Sequence, residues 1–449
     1  MALTPSLKTI PTLPGQPILG NLLEIQKKEI LRFAEDLRAN YGSLAWFKIG
    51  PFRMCFMCEP EHLHHVFVKN AKNYVKGPNY DRLRLLMGQG LVTSEGELWR
   101  QQRRLIQPTF TPKAVLNFHE MMVQMTQQVI ARWQPWLGQT INVDEEMMRL
   151  TMGVIGEAMF SIDLNEQAIE VGEAFGETFR YIGEGTSKPF VPPLYVPTPG
   201  NVRFKKALRT IHAFIEERIA DGRSHPDRHN ILTMLLQARD EETNAVMDEA
   251  QLRDEVITLF FAGFETTART LGWAWYLLSQ NPEARRKLQA EVDGVLDGRS
   301  PSIADLYQLP YTRMVADETL RLYPPTGFVA RQAKEDDVID GYHIPAGTIL
   351  MISPHVTHRI PDLWPNPDQF IPERFAAGKL DEMHKCAYVP FVTGPRVCIG
   401  NSFALLEIVV ALAMIAQQYE LTMPPQAIPS AFIGTTRPLQ PIFMMVNGR

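Results

Sequence analysis

The distribution of apolar and polar residues predicts a mainly helical chain with a small strand-rich part. Residues 44 to 60, LAWFKIGPFRMCFMCEP, have the apolar and aromatic content of two strands joined by a Gly50-Pro51 turn. From about residue 97 to 290 the apolar spacing is helical, except where the prolines of residues 187 to 200 predict a loop. Within this region, residues 250 to 279 predict one long amphipathic helix.

The C-terminal part of the pattern adds a hairpin and a buried helix. Residues 338 to 352, VIDGYHIPAGTILMI, predict a hairpin because Asp340-Gly341 is a turn signal. Residues 403 to 416, FALLEIVVALAMIA, predict a helix that is largely buried. The sequence has no internal repeat, Gly/Ser linker or low-complexity tract. We therefore expect one compact, mostly helical domain over residues 1–449.

Composition and charge are those of a globular protein. Hydrophobic residues make up 45% of the 449 residues, and the net charge of −5 points to neither nucleic acid nor an anionic membrane. The N-terminal residues lack the pattern of a secretory signal, and no apolar run reaches the roughly 18 residues of a spanning helix. Four cysteines do not make a disulfide framework, so we expect a cytoplasmic protein.

A C-x-x-C and the histidines after it suggest a zinc or redox site; the members are Cys55, Cys58, His62, His64 and His65. Residues three apart in an extended strand point to opposite faces, so Cys55 and Cys58 should diverge. Glu59 stands where a c-type haem motif requires histidine. We therefore predict ordinary strand packing here, followed by a helix that begins near Pro60.

A second cysteine has a more specific setting in residues 390 to 400, PFVTGPRVCIG. Gly394 permits a tight loop and a close approach of backbone to a flat ligand, and Gly400 lies where a helix can begin. Cys398 should therefore lie beside a helix N-terminus, whose partial positive charge favours an anionic sulfur, and Arg396 adds a cation. Such a thiolate can be a nucleophile or a metal ligand, but a lone cysteine cannot complete a zinc site.

The pattern F-x-x-G-x-R-x-C-x-G in this loop resembles the haem-binding loop of the cytochromes P450, the haem-thiolate monooxygenases. The resemblance implies the fold of that family, mainly α with a small β part, and a non-covalent haem b. It also implies that Cys398 is the axial iron ligand, that Phe391 packs near the sulfur and that Arg396 pairs with a haem propionate, with Gly400 completing the loop.

Residues 260 to 270, FFAGFETTART, match the oxygen-activating stretch of the same family through Ala262, Gly263, Glu265 and Thr266. Gly263 and the threonines weaken a helix, and a threonine hydroxyl can bond a carbonyl one turn back, which leaves room for oxygen and water. The resemblance assigns proton delivery to Glu265 and Thr266. The branch that esterifies its haem carries glutamate at the position of Ala262, so covalent haem is not expected.

Further family motifs follow in the expected order. Glu318 and Arg321 form the E-x-x-R on one helix face, and with Arg374 of FIPERF they imply a structural network that holds the cysteine loop. Trp99 and Arg103 match a W-x-x-x-R helix that faces a propionate, and Arg331 occupies the place of a further propionate-binding arginine. As exposed side chains these residues would be unremarkable, since Glu–Arg pairs are common on surfaces.

The family position of a substrate pocket can also be outlined. Its expected lining is apolar, which favours an apolar substrate of moderate size, and each member could instead be ordinary core. The residues are Leu85, Leu86, Met87, Phe261, Phe264, Thr326, Phe328, Val329, Phe432 and Ile433. Arg53 in the first hairpin is not an evident anchor for a carboxylate, so a fatty acid is not favoured over a terpenoid or another apolar metabolite. The loop at 187 to 200 is a candidate lid.

The family mechanism consumes O2 and two electrons. We expect no fused reductase, so electrons should come from a ferredoxin or flavodoxin and its NAD(P)H-dependent reductase. Basic residues near the cysteine loop form a candidate docking patch, namely Arg100, Arg104, Lys385 and Arg396. The alternatives are a haem-thiolate enzyme that uses peroxide or isomerises its substrate, and a haem-based gas sensor. The Glu265-Thr266 pair argues for dioxygen.

Overall fold

The computed structural model describes residues 8–162, 167–187 and 192–449. Most of this chain is helical, as the apolar spacing predicts. The α-helices are α1 (Leu22–Lys28), α2 (Ile30–Tyr41), α3 (Pro60–His64), α4 (Asp81–Met87), α5 (Gly96–Ile106), α6 (Pro112–Val115), α7 (His119–Trp133), α8 (Val143–Phe160), α9 (Gln167–Ser187), α10 (Pro199–Ser224), α11 (Ile231–Gln237), α12 (Glu249–Gln280), α13 (Pro282–Leu296), α14 (Ile303–Leu306), α15 (Pro310–Leu322), α16 (Pro354–Thr357) and α17 (Asn401–Gln418).

Short strands form small sheets at the side of the helices. They are β1 (Leu44–Ile49), β2 (Phe52–Met57), β3 (Tyr74–Val75), β4 (Thr140–Asn142), β5 (Val329–Ala333), β6 (Asp337–Ile339), β7 (Tyr342–Ile344), β8 (Ile349–Ile352), β9 (Tyr419–Thr422), β10 (Ser430–Ile433), β11 (Thr435–Pro438) and β12 (Phe443–Gly448). The largest sheet has the order β1-β2-β8-β5-β3, in which β2 and β8 are parallel. The other sheets are β4-β12-β9, β6-β7 and β10-β11.

Helix α12 crosses the middle of the helical part. Asp248 begins it, because its carboxylate accepts the Gln251 amide at 2.8 Å and satisfies an N–H that the first turn leaves free. Most of its residues are buried, and it packs closely on α8. A Cβ at Gly263 would lie 2.5 Å from Cδ1 of Ile155 on α8, so a larger residue there would require the Ile155 side chain to move. The absence of a side chain at Gly263 therefore lets α12 and α8 pack closely at this point.

Helix α17 confirms the buried helix predicted for residues 403 to 416. Almost all its side chains from Leu406 to Ala416 are buried, and it packs against α7, α12, α13 and α15. Within the described part of the chain, α17 alone is long and apolar enough to cross a membrane by length and composition. Because most of it is buried inside the protein, it has the character of a core helix.

The first predicted hairpin is confirmed with its turn. Trp46 pairs with Cys55 and Ile49 pairs with Phe52, so β1 and β2 are antiparallel across Gly50-Pro51. Cys55 and Cys58 are free and buried, and α3 begins at Pro60 as predicted. Within residues 8–162, 167–187 and 192–449, no group of three or more His, Cys, Asp or Glu side chains is arranged to hold a metal ion. Cys55 lies in β2 and Cys58 directly follows it, and their side chains pack in different parts of the core.

Two other predictions are met in part. The turn at Asp340-Gly341 joins β6 and β7, but residues 349–352 leave this hairpin and pair with β2 and β5 in the largest sheet. All four residues of β8 are buried, as suits a central strand. Because β8 follows β7 closely in the sequence, residues 338 to 352 alone suggest one hairpin. Of the predicted loop at 187 to 200, residues 188–191 lie outside the described residues, and α10 begins at Pro199.

Candidate active site

The loop before α17 brings Cys398 to the floor of a large cavity. Gly394 adopts φ 73°, and a Cβ there would lie 2.0 Å from the Phe67 carbonyl oxygen, so the loop needs glycine at this point. The Cys398 amide donates to the Phe391 carbonyl at 3.0 Å, which closes the loop. Gly400 precedes the first turn of α17, as predicted. The thiol and Phe391 both face the cavity.

The surroundings of the Cys398 sulfur differ from the expectation in one respect. Burial raises the pKa of the Cys398 thiol, while the Gly400 amide and the Arg103 guanidinium act in the opposite direction. The nearby cation is therefore Arg103, because Arg396 points elsewhere. A metal ion bound to the sulfur would displace the proton outright, so the loop suits a thiolate that is held by a metal.

Arg396 belongs to a partly buried cluster of cations at the edge of the cavity. Its Nη1 donates to the Ser94 carbonyl at 3.0 Å and its Nη2 to Glu95 at 2.5 Å, and its guanidinium lies 3.9 Å from the Trp99 ring centre. Lys76 lies beside it and donates to the carbonyls of Leu91 and Ser94 at 3.2 and 3.1 Å. Burial and the neighbouring arginines lower the pKa of Lys76 to about 6 and that of Arg396 to about 10.

The other predicted arginines reach the same cavity. Arg103 donates from Nη1 to the Val397 carbonyl at 2.8 Å and from Nε to Gln107 at 2.6 Å. Arg331 lies in β5, is 6% exposed, and donates from Nη1 to the Tyr80 hydroxyl at 3.2 Å. It is therefore not a surface residue at a strand end. The structure brings all three predicted arginines to the wall that also contains Trp99 and Lys76.

These residues fit a haem. Lys76, Arg103, Arg331 and Arg396 line one cavity with Glu95 as the acidic partner of Arg396. Among the described residues, the acceptors of the Lys76 ammonium group are the carbonyl oxygens of Leu91 and Ser94. Burial and mutual repulsion destabilise charge on Lys76 and Arg396, and two propionates would relieve it. A flat, dianionic group with an iron centre thus matches this cavity: the single thiol suits the iron, and the cations suit the two negative charges.

Helix α12 forms the opposite wall. Ala262, Gly263 and Thr266 face the cavity, and the Thr266 hydroxyl donates to the Ala262 carbonyl at 3.0 Å, as the threonine pattern predicts. Thr267 repeats this bond to the Gly263 carbonyl at 3.2 Å, and the helix stays continuous through both. Gly263 therefore serves the packing on α8, and it does not interrupt the helix.

Glu265 is not among the residues that line the cavity. One of its carboxylate oxygens accepts from Nε of Arg269 at 3.1 Å, from the Thr435 hydroxyl at 3.1 Å and from Nη2 of Arg437 at 3.0 Å. Arg269 in turn pairs with Asp144. The structure thus separates the acid from Thr266, and it uses β11 and α8 to hold that carboxylate in an ionic network.

Glu318, Arg321 and Arg374 form the buried network that the motifs predict. Arg321 bonds Glu318 through Nε at 2.6 Å and Nη2 at 2.8 Å, and both side chains are 0% exposed. Nε of Arg374 lies 3.4 Å from the same carboxylate, which also accepts the Ile371 amide at 2.8 Å. The network ties α15 to the segment before the cysteine loop.

The cavity has a volume of about 2390 Å³ and extends from Cys398 to the protein surface near Ile18 and Phe52. Most of the predicted pocket residues line it, namely Met87, Phe261, Thr326, Phe328, Val329, Phe432 and Ile433. The prediction needs correcting at Leu85, Leu86 and Phe264, which do not. Leu86 is buried in the main core, and the ring of Phe264 packs on Phe175 and Phe260. On their helices these side chains point away from the cavity.

Other lining residues had no signal in the sequence. The Phe179 ring stacks on Phe261 with 3.8 Å between centroids, so α9 and α12 together form an aromatic roof. Lys76 and Tyr80 reach the cation cluster from the segment before α4. A lysine before Gly-Pro is typical of an exposed turn, and a phenylalanine on an amphipathic helix is typical of core. Only the tertiary contacts separate these residues from such cases.

Comparison with known proteins agrees with this geometry. A sequence model described as "Cytochrome P450" matches residues 10–444. A solved structure described as the "cytochrome P450DA heme domain" superimposes with a TM-score of 0.91 at 26% identity, covering 99% of this chain and 98% of that one. The sequence comparison and the structural comparison therefore point to the same family.

Relatives from Streptomyces cover nearly the whole chain. Cyclooctat-9-en-7-ol 5-monooxygenase of Streptomyces melanosporofaciens is 35% identical over 92% of this chain and 90% of the relative. Cyclooctatin synthase of the same organism is 36% identical, over 91% and 88% respectively. Pentalenene oxygenase of Streptomyces avermitilis is 31% identical, over 93% and 92%.

Proposed function

This chain belongs to the cytochrome P450 family of haem-dependent monooxygenases, and we propose that it inserts one oxygen atom of O2 into a C–H or C=C bond of a cyclic terpenoid. The observation that carries the proposal is a single thiol, Cys398, which faces an apolar cavity with partly buried cations at its edge. Electrons would come from a separate redox protein, and the haem would be a non-covalent haem b, since Ala262 offers no carboxylate for an ester.

The substrate class rests on the cavity and on the relatives. Aromatic and aliphatic side chains line the space between α9, α12 and β10, which suits an apolar ring system of moderate size. The names of the relatives specify an alkene, pentalenene, and an alkenol, cyclooctat-9-en-7-ol. A fatty acid is less favoured, because Arg53, weighed as its anchor, lies 4.0 Å from the Trp46 ring centre and is not a cavity residue.

The residues of the chain would divide the work as follows. Haem, when bound through a thiolate, supplies the activation of dioxygen. Cys398 would hold the iron, and Arg103, Arg331, Arg396 and Lys76 would hold the propionates. The aromatic roof of Phe179 and Phe261 would pack against the substrate, hold it near the centre of the cavity and exclude water.

Proton delivery is proposed for Thr266, whose hydroxyl faces the cavity and bonds the Ala262 carbonyl. A hydroxyl in that position can pass a proton between a bound water and the reacting oxygen. Glu265 is a candidate for the group that supplies this proton to Thr266. Its carboxylate would have to leave Arg269, Thr435 and Arg437 to reach the cavity.

The proposed redox partner is a small acidic ferredoxin or flavodoxin in the cytoplasm. Of the predicted docking patch, Arg100 is 53% exposed, in a surface pair with Glu97, and Lys385 is exposed. Arg104 is 31% exposed and pairs with the buried Asp240 at 2.9 Å, and Arg396 is 18% exposed and pairs with Glu95. The patch therefore reduces to Arg100 and Lys385. Arg100→Gln with Lys385→Gln should slow electron transfer and weaken its salt dependence. The matched control is Arg209→Gln on α10, and equal effects would exclude the patch.

The test of the proposed function is spectroscopic. The wild-type protein should bind haem, show the red-shifted Soret band of a thiolate-ligated haem in its reduced carbon monoxide complex, and change spin state with an apolar cyclic compound. Cys398→Ser should lose that band while it keeps the fold by circular dichroism. Turnover that depends on a reductase would distinguish a monooxygenase from a gas sensor or a peroxide-using enzyme, and a normal band in Cys398→Ser would overturn the proposal.

A further inference from the structure

A carboxylate near the N-terminus connects distant parts of the cavity wall. Glu29 lies between α1 and α2 and has φ 71° and ψ 149°. Residues other than glycine adopt this conformation rarely, so glycine would be the less strained residue here. A glutamate at this position therefore has to be explained by the contacts that its side chain makes.

The Glu29 carboxylate accepts one amide from each of two elements. Its Oε2 accepts the Leu31 amide at 2.8 Å, in the first turn of α2, and its Oε1 accepts the Phe432 amide at 2.8 Å, in β10. Hydrogen bonds to a charged acceptor are stronger than those between neutral groups. The same side chain therefore caps a helix and holds a strand from the other end of the chain.

The strand that Glu29 holds is part of the cavity wall. Phe432 and Ile433 line the cavity, and the Phe432 ring lies 5.4 Å from that of Phe328 in an edge-to-face arrangement. The packing is tight here, because a Cβ at Gly327 would lie 3.0 Å from Cδ2 of Leu31 and 3.4 Å from Cδ2 of Phe432. A shift of β10 would thus change the surface that faces the substrate.

The neighbouring strand has its own anchors. The Thr436 amide of β11 donates to the Pro325 carbonyl at 2.9 Å, and the Thr436 carbonyl accepts from Nε1 of Trp273 on α12 at 3.2 Å. These bonds fix β11 to the helical part, whereas Glu29 connects β10 to the N-terminal helices. Phe432 lies opposite Thr436 in the β10–β11 pair, and the Glu29 carboxylate is its second anchor, on the side of the N-terminal helices.

We propose that Glu29 is a positioning residue for substrate specificity, because its carboxylate fixes Phe432 in the wall of the substrate cavity. Loss of the carboxylate frees the Phe432 amide and lets its ring move away from Phe328. The binding space then becomes less well shaped for one rigid apolar substrate. This inference rests on the proposed function, in which the cavity binds such a substrate.

Two variants separate this role from a general loss of fold. Glu29→Gly removes both hydrogen bonds but suits the backbone conformation, so it avoids added strain. Glu29→Gln keeps a single acceptor oxygen, and its NH2 group cannot accept the second amide. The matched control is Glu24→Gln, the same chemical change on α1, where the carboxylate bonds the exposed Lys28 at 3.0 Å.

The first readout needs no activity. Hydrogen–deuterium exchange of the haem-loaded protein should show the Phe432 amide exchanging about tenfold faster in Glu29→Gly than in the wild type. The second readout is the spin-state titration with pentalenene, in which the dissociation constant should rise about fivefold in both Glu29 variants. The distribution of oxidised products should broaden as well, and Glu24→Gln should match the wild type in all three measurements.

The outcomes distinguish this inference from the proposed function. Unchanged exchange at Phe432 in both Glu29 variants would overturn the hydrogen bond on which the inference rests. Faster exchange with an unchanged dissociation constant and unchanged products would overturn the role in specificity. A wild-type protein that gave no spin-state change with pentalenene or other cyclic terpenes would overturn the proposed function itself, and with it the specificity role.

Discussion

Replacement of Arg321 by lysine removes the centre of the most buried ionic network in the site. Arg321 uses all five of its N–H groups: those not bonded to Glu318 donate to the carbonyls of His358 and Pro367 at 2.7 Å and to the Gln369 carbonyl at 3.1 Å. A lysine has three N–H groups, so at least two of these acceptors lose a partner in Arg321→Lys.

The expected cost follows from that count. An unsatisfied buried acceptor costs about 1–3 kcal/mol, so the loss of two partners costs about 2–6 kcal/mol, while lysine keeps the positive charge beside Glu318. We therefore expect Arg321→Lys to lower the free energy of unfolding by about 3–5 kcal/mol, the middle of that range. Since whole domains are stable by about 5–15 kcal/mol, this loss is a large share of the total.

Urea unfolding followed by far-UV circular dichroism measures the effect. With an m-value of about 4 kcal/mol per M, above the range of small domains, the midpoint should fall by about 1 M. The control is Arg313→Lys on the same helix, α15. Nε of Arg313 bonds Asp317 at 2.7 Å, but the arginine side chain is 49% exposed, so the expected change is below about 1 kcal/mol.

Equal midpoints for the two variants would refute the reasoning, because burial of the Arg321 network would then have no energetic consequence. The double variant Glu318→Leu with Arg321→Met gives a second check. Removal of both charges takes the fully buried Glu318 carboxylate out of the core and leaves Arg374, 11% exposed, as the remaining ion of the network, so this variant should be more stable than Arg321→Met alone. A double variant that is the less stable of the two would also contradict the argument.

Three further outcomes follow from the site. Thr266→Ala should divert reducing equivalents into peroxide or water, measured as product formed per NAD(P)H consumed. Thr126→Ala, which removes the same kind of bond on α7 outside the cavity lining, should keep the wild-type ratio. An unchanged ratio in Thr266→Ala would exclude its hydroxyl from proton delivery. Burial raises the pKa of Glu255 to about 8, so the native state keeps a proton that the unfolded chain releases, and stability falls as pH rises from about 5 to 8. The free energy of unfolding of Glu255→Gln, measured with urea, should rise relative to that of the wild type by about 3 kcal/mol as the pH goes from roughly 5.5 to 8. A difference between the two proteins that does not change with pH would contradict this. Phe261→Ala should widen the aromatic roof, so that spin-state titrations show tighter binding of larger apolar compounds than in the wild type, and an unchanged size preference would exclude Phe261 from the roof.

The parts of the fold that local patterns determine were predictable from the sequence. The hairpin of β1 and β2, the long helix α12 and the buried helix α17 each have a periodicity that one kind of structure satisfies. The pattern places β8 in the wrong hairpin, because its partner β2 lies far away in sequence and its partner β5 lies on the other side of the β6–β7 hairpin. Pairing between distant strands leaves no local signal.

The site shows the same division. Cys398, Arg103 and the Glu318–Arg321 pair could be identified because their motifs have fixed spacings. The burial of Lys76 and the partners of Glu265 could not, since they come from residues far apart in the chain that meet only after folding. An amphipathic pattern also does not indicate which apolar residue of a helix faces a cavity. Phe264, for example, packs into the core.

The parallel pairing of β2 with β8 has a consequence for synthesis of the chain. Cys55 pairs with Leu350, so the ribosome must make most of the polypeptide before the largest sheet can close. Until then one edge of the nascent β1–β2 ribbon is uncovered, and it carries apolar side chains. Long-range pairing of this kind slows folding and favours aggregation of incomplete chains. Yield in a recombinant host should therefore improve with slower expression at lower temperature.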